Sequence, residues 1–349
     1  MSKTSSRKKE HIDITLTHDV AFRGKTTGLE QWEFVNNALP EIDFTDIDPS
    51  VEFLGHKLSL PLIISGMTGG YHDAERLNRG LAEACQAKNI AMGVGSQRQA
   101  MESDLFHSSY RVVREVAPSI PLIGNIGAVE VASLTDVTPI ARLVELIRAN
   151  AFAVHLNPLQ ELLQPEGKPQ FAGVLDGIEM LVRQLDIPVI VKEIGAGISA
   201  DVAQRLLDAG VRIIDVAGAG GTSWAGVEII RSGENPATEK FWDWGIPTAE
   251  ALRQVVPLKN RYRDLSVIAS GGISDGLEMA KAIGLGADIV ASARPMLKAV
   301  VDGGTEALVA MLDEWDLDLR SVMFLTGSKI IPELQKAPIH RRDEPHAQS

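Results

Sequence analysis

Eight short apolar runs alternate with helical stretches between Leu60 and Ala291, and that rhythm leaves few folds open to the chain. The runs cover 60–66, 91–94, 121–125, 151–155, 188–193, 212–216, 266–269 and 287–291. They are β-branched and too short for helices. They are apolar almost throughout instead of alternating, as strands covered on both faces are. Between them, 73–88 places Leu77, Leu81, Ala84 and Cys85 on one helical face. Helices are likewise read over about 106–116, 138–149, 173–185, 199–209, 248–255 and 275–283, with the last ones inside 295–335. Thr138 before Pro139 suits a helix start, and Gly210 suits a helix end. Alternation of this kind implies a parallel sheet with helices outside it. Eight units imply an α/β TIM (β/α)8 barrel of one domain, although an open doubly wound sheet has the same periodicity. The expected layout is an arm and lead-in over 1–59, with a possible short strand at 51–54, a barrel over 60–336, and a loose polar tail over 337–349.

The formal charge of −12 argues against broad nucleic-acid binding, which rests on phosphate neutralisation. The single cysteine, Cys85, excludes an internal disulfide and suits a reducing cytoplasm. No apolar run of about 18 residues is present, so no membrane span is expected. The start of the chain is polar and basic, unlike a secretory signal. By composition it reads as a solubilising tail carrying Arg7, Lys8 and Lys9.

In a barrel the chemistry sits at the C-terminal ends of the strands. Those ends hold Met67-Thr68-Gly69-Gly70, Ser96-Gln97-Arg98, Asn125, the stretch from His155 to Glu161, Lys192-Glu193, 217–222, Ser270-Gly271-Gly272-Ile273 and Ala293-Arg294. Glycine turns after strands seven and eight, each opening a helix, suit a phosphate. Lys192 ends an apolar strand, where an ammonium needs an anion. It either pairs with Glu193 or another local carboxylate, or faces an electron-rich cofactor ring or a reaction intermediate. Asn125 is a turn former or a pocket donor. His155, Asn157, Gln160 and Glu161 lie within seven residues. Beside them Glu161 is a plausible ligand for a hard cation such as Mg²⁺, and His155 is either a site residue or a satisfied structural one. The long connection 218–246 carries Trp224, Phe241, Trp242 and Trp244 and reads as a lid bringing aromatic surface over the site.

Together these motifs resemble the type 2 isopentenyl-diphosphate delta-isomerases, the flavin-dependent kind. The resemblance runs from about Arg7 to about Lys298 and rests on Arg7-Lys8-Lys9-Glu10-His11, Met67-Thr68-Gly69-Gly70, Gly95-Ser96-Gln97-Arg98, Asn157-Pro158-Leu159-Gln160-Glu161, Lys192-Glu193, Gly220-Gly221-Thr222-Ser223, Ser270-Gly271-Gly272-Ile273 and Ala293-Arg294. It implies an FMN barrel that interconverts isopentenyl and dimethylallyl diphosphates, with Mg²⁺ and a flavin reduced by NADPH. It implies FMN contacts at Met67, Thr68, Gly69, Ser96, Asn125, Lys192, Thr222, Gly271, Gly272, Ala293 and Arg294. It implies substrate contacts at Arg7, Lys8, His11, Ser96, Gln97, Arg98, Asn157 and Gln160, and metal at Glu161. The reduced flavin is expected to be the main acid/base, with Gln160 and His155 as protein residues at the chemistry. Ala217 departs from the serine many relatives carry. Members are often tetramers or octamers, so a homo-oligomer is expected.

The rival on the same barrel is an α-hydroxy-acid oxidase, which has a His-Gly-Gly turn after strand six; Gly218-Ala219-Gly220-Gly221 has no histidine. A dehydrogenase of the inosine-monophosphate type needs a cysteine in that region, and the only cysteine is Cys85. A non-catalytic flavin- or phosphate-binding protein would not need Gln160 and Glu161 beside Arg98 and the basic arm.

Overall fold

The computed structural model describes residues 3–233 and 236–343. Eight parallel strands close into a barrel: β1 (Leu62–Ile64), β2 (Ala91–Gly93), β3 (Leu122–Gly127), β4 (Ala151–His155), β5 (Val189–Lys192), β6 (Ile213–Asp215), β7 (Ser266–Ala269) and β8 (Ile289–Ser292). Closure is made by β8 against β1, with Val290 opposite Leu62 and Ser292 opposite Ile64. Hydrogen bonding around the ring excludes the open doubly wound alternative.

The apolar character of the strands has two sources. Side chains alternate across a strand. Ile63, Ile123, Ala153, Ile190, Ile213, Ile268 and Ile289 point into the barrel and pack on one another. Leu62, Ile64, Met92, Leu122, Val154 and Ile214 point outward and are buried under the helices. The hairpin Val51–Phe53 with His56–Leu58 plugs the N-terminal end and adds Phe53 and Leu58 to the interior cluster. Asn89, just before β2, anchors it by donating to the Lys57 carbonyl at 2.9 Å.

The same alternation decides what faces the other end. With Ile123, Ala153, Ile190 and Ile213 inward, the residues two further on are inward as well: Asn125, His155, Lys192 and Asp215. Register brings them together, His155 opposite Lys192 and Lys192 opposite Asp215. An apolar barrel therefore ends in a polar layer at its mouth.

Two expectations are corrected. The polar start of the chain is not a loose tail but a helix, Lys3–Thr17, docked over the mouth with Ile12 only 8% exposed. The tail from Ala337 is ordered through Asp343, because Ile339–Arg341 pairs antiparallel with Trp32–Phe34; residues 344–349 of the expected tail lie outside the described residues. The last helices lie where expected, as two helices within Arg294–Thr326 broken where Gly304 takes φ 72°, and a short one at Ile331–Leu334.

Candidate active site

A cavity of about 380 Å³ opens at the C-terminal ends of the strands, within the size range of ligand pockets. Of the residues expected at a cofactor, Met67, Ser96, Asn125, Lys192, Thr222, Gly271, Gly272, Ala293 and Arg294 line it. His155, Gln160 and Ala217 line it too. Thr68 and Gly69 are not on its wall. The Thr68 hydroxyl donates to Asn78, and the Gly69 carbonyl accepts from Lys8 at 2.8 Å. These two hold the turn after β1 and do not face the cavity.

One side of the cavity is built from backbone. Gly271 has φ 101°, and a Cβ there would lie 2.0 Å from the Gly218 carbonyl oxygen, so only glycine lets the turns after β6 and β7 approach this closely. Helix Gly276–Gly284, capped by Asp275, starts just beyond that turn, and the long run from Arg294 starts at the end of β8. Two helix starts and permissive turns make a cradle for an anion.

The opposite side is a network of side chains. Asn125 donates to the Val94 carbonyl at 3.1 Å, so its oxygen faces His155 Nδ1 at 2.8 Å. An amide oxygen only accepts. His155 therefore carries its proton on Nδ1 and a lone pair on Nε2. Burial, and then the nearby Lys192, Lys8 and Arg7 charges, push its pKa down to about 3. The imidazole is neutral at working pH, an acceptor at Nε2.

Gln160 sits in the helix Pro158–Leu163, which Pro158 begins. Its oxygen accepts from Asn157 at 3.0 Å and its Nε2 donates to Glu228 at 3.0 Å, so the amide cannot flip freely. Glu228 was not expected from the sequence. It is fully buried on the helix Trp224–Arg231. Its Oε1 lies 2.8 Å from His11 Nε2 and its Oε2 accepts from Arg231 at 3.1 Å. Burial pushes its pKa up, but hydrogen bonds from His11 and Gln160 and the Arg231 charge outweigh that, and the net shift is downward. The signal that could have found it is a lone acid in the apolar run Trp224–Arg231, where a helix with Val227, Ile229 and Ile230 would bury it.

The basic residues divide. Arg98 is held by Glu130 at 3.0 Å and Glu102 at 3.4 Å at the edge of the mouth. Lys8 is not free for an anion: its ammonium donates to the carbonyls of Gly69 and Ser96 and to the Tyr110 hydroxyl. Burial, then Arg7, lowers its pKa to about 7. Gln97 is fully buried, with its amide spent on the Leu143 carbonyl and the Asn125 N–H. It supports Asn125 and does not face the cavity.

Glu161 is 7% exposed, and its Oε2 accepts from the Lys168 N–H at 2.8 Å. Beside it, Asn157 Oδ1 is buried with no hydrogen-bond partner among the described residues. No group of three or more His, Cys, Asp or Glu suited to a metal exists among the described residues. Lys192 donates to the Glu193 carbonyl at 2.5 Å and not to the Glu193 carboxylate, which accepts from the N–H groups of Ile194, Gly195 and Ala196. Of the aromatic residues of the expected lid, only Trp224 lines the cavity. Trp242 is buried against Gly226 and donates to the Ala21 carbonyl at 2.9 Å, and Trp244 is 62% exposed. The arm helix covers the mouth instead, through Ile12 and Thr15.

The profile of the FMN-dependent dehydrogenase family matches residues 2–109 and 154–341. Solved structures of similar fold include a mandelate oxidase with a monooxide FMN adduct, 18% identical, TM-score 0.66, over 94% of this chain and 95% of that one. Another is a lactate oxidase from Pediococcus acidilactici, 17% identical, TM-score 0.67, over 96% and 94%. At such identity they speak for the fold alone. Relatives with higher identity decide the family. An isopentenyl-diphosphate delta-isomerase from Chlorobaculum parvum is 50% identical over 97% of this chain and 98% of its own length. One from Vibrio parahaemolyticus is 48% identical over 97% and 99%. The chain belongs to the isopentenyl-diphosphate delta-isomerase family. It is an enzyme of that family on an FMN-type barrel, and the oxidase and dehydrogenase rivals fall away. Among the described residues no helix is long and apolar enough to cross a membrane.

Proposed function

We propose that the protein interconverts isopentenyl and dimethylallyl diphosphates with FMN and Mg²⁺, the flavin being kept reduced by NADPH. The observation that carries this reading is the pairing of a backbone cradle with a fixed amide across one cavity: the turns at Gly271 and Arg294 on one side, Gln160 on the other. FMN fits the residues present. The glycine turns admit a phosphate where a Cβ would collide with backbone, and Lys192 offers a cation at the cavity wall. When bound, reduced FMN supplies the proton donor and acceptor that moving a double bond requires.

The chain's own residues supply the rest. An alkene is a poor base, so protonating it demands a strong acid held away from water. Ile12, Met67, Trp224 and Leu297 wall the cavity with apolar surface. Gln160, held by Asn157 and Glu228, fixes the reacting carbons or relays a proton through its amide. His155 Nε2 accepts and does not donate. Arg98 and Arg7 provide positive potential for a diphosphate. Magnesium fits Glu161 and the orphan Asn157 Oδ1, two oxygens of the hard kind it takes, and it would neutralise diphosphate charge there. Met67 and Thr222 would contact the flavin, and His11 would touch substrate through the arm. A cytoplasmic homo-oligomer, tetramer or octamer, completes the reading and is checked by light scattering.

The test is anaerobic turnover of isopentenyl diphosphate with FMN, NADPH and Mg²⁺. Dimethylallyl diphosphate is the expected product, and its absence from folded, yellow protein overturns the reading. Gln160→Leu should bind FMN normally and lose about 100-fold or more in kcat, the usual scale of a positioned acid–base partner. Full turnover by that variant would remove Gln160 from the mechanism.

A further inference from the structure

Behind Lys192, on the side away from the cavity, lies Asp215. The two are register partners on β5 and β6. Both line a small void of about 30 Å³ inside the barrel, walled otherwise by residues such as Ile63, Ile123, Ile190 and Ile268. Lys192 lines this void and the main cavity as well, so it stands between the two. Asp215 is 3% exposed. Its Oδ1 accepts from Ser270 Oγ at 2.6 Å and from the Ala217 N–H at 3.2 Å, both neutral donors.

A buried carboxylate without a cation nearby is costly and gives up its charge. The other carboxylate beside Lys192, that of Glu193, is already taken by three backbone N–H groups. We propose that Asp215 is the counter-ion of Lys192 and the positioning residue that sets how much positive field reaches the flavin cavity. The inference rests on the FMN reading above. Burial pushes the Asp215 pKa up, and the Lys192 charge and the hydrogen bonds from Ser270 and Ala217 draw it only part of the way back, so the net shift is upward. The same carboxylate holds Ala217, whose φ of 35° starts the turn to Gly218, and Ser270, whose carbonyl accepts from the Gly218 N–H at 2.8 Å. It thus supports the lysine and the cradle at once.

Asp215→Asn keeps an oxygen for both hydrogen bonds and removes the charge. Lys192, open to the cavity, then presents its cation uncompensated. A reduced flavin carries more negative charge than an oxidised one. The Asn variant should therefore bind reduced FMN about tenfold more tightly relative to oxidised FMN, which is a shift of about +30 mV for a two-electron couple. In a Lys192→Met background the shift should vanish, because the lone buried acid is then protonated. Dye-equilibrated potentials of the holoenzymes read both results. An unmoved potential in Asp215→Asn overturns the inference. So does an equal shift in the Lys192→Met background, since Asp215 would then act on the flavin directly. If Asp215→Asn fails to fold, infrared spectroscopy of Lys192→Met decides: a protonated carboxylic acid band absent from wild type supports the pair, and no such band overturns it. That measurement needs no flavin. A wild-type protein that binds no FMN would defeat the functional reading while leaving this result to stand or fall by itself.

Discussion

Glu228 does the most at the residue scale for a side chain the sequence did not single out. It joins the arm through His11, the reaction edge through Gln160 and the buried guanidinium of Arg231. Replacing it by Gln removes the charge but keeps the shape. Gln160 then loses its anionic acceptor and Arg231 loses one of three carboxylates, the others being Glu10 and Glu166. Glu228→Gln is expected to lower kcat by about 100-fold while the FMN dissociation constant, read by fluorescence quenching, stays within a few-fold of wild type. A large loss of flavin binding would place Glu228 in the cofactor scaffold instead. His155 illustrates how burial redirects a residue. Its folded pKa of about 3 lies below its ordinary value of 6.5, so the unfolded chain binds the extra proton between those limits. Its contribution to stability is complete above about pH 6.5 and is lost as pH falls toward 3. Urea melts of wild type and His155→Gln should therefore differ in their slope with pH across that window and run parallel above it.

Among the elements, the arm helix Lys3–Thr17 is the most conditional. Its composition favours solvent, and it docks because tertiary partners exist: the carbonyls around Lys8, Glu102 for Thr4 at 3.0 Å, and Arg231 for Glu10 at 2.8 Å. Helical stability in proteins comes mainly from such packing. Docking carries a pH signature. Lys8 has a folded pKa of about 7 against an ordinary 10.5, so the undocked arm holds the extra proton between these values. Docking should strengthen as pH rises from about 7 toward 10.5 and be weakest below 7. Limited proteolysis of the arm at pH 6 and pH 9 reads this directly. Lys8→Met, which keeps the apolar stem and cannot titrate, should lose the dependence.

For the whole molecule, barrel closure and its plug decide whether there is a mouth at all. Phe53, 6% exposed, fills the N-terminal end against the inward isoleucines. Phe53→Ala should cost about 3–5 kcal/mol, the range for a buried phenylalanine truncated in a core. A denaturant midpoint lowered with little change in the isomerisation rate of the folded fraction is the expected result. An unchanged midpoint would show the plug to be dispensable.

The eightfold strand–helix rhythm is legible in the chain because burial on both sheet faces demands continuous apolar runs, and the strand ends follow from it by counting. Gly271, Gln160, Lys192 and Arg294 were accessible to reading for that reason. What a linear chain does not carry is the direction of a side chain once a polar partner competes for it. Gln97, Thr68 and Lys8 stand in site motifs, yet each spends its polar atoms on backbone or on Asn78 and Tyr110. Glu228 stands in an apolar helix and turns toward Gln160. Local pattern determined the barrel and where its mouth lies, because hydrophobic periodicity is a property of neighbours in sequence. Only the tertiary structure decided which polar groups face that mouth, because desolvated donors and acceptors pair with whatever the fold brings within reach.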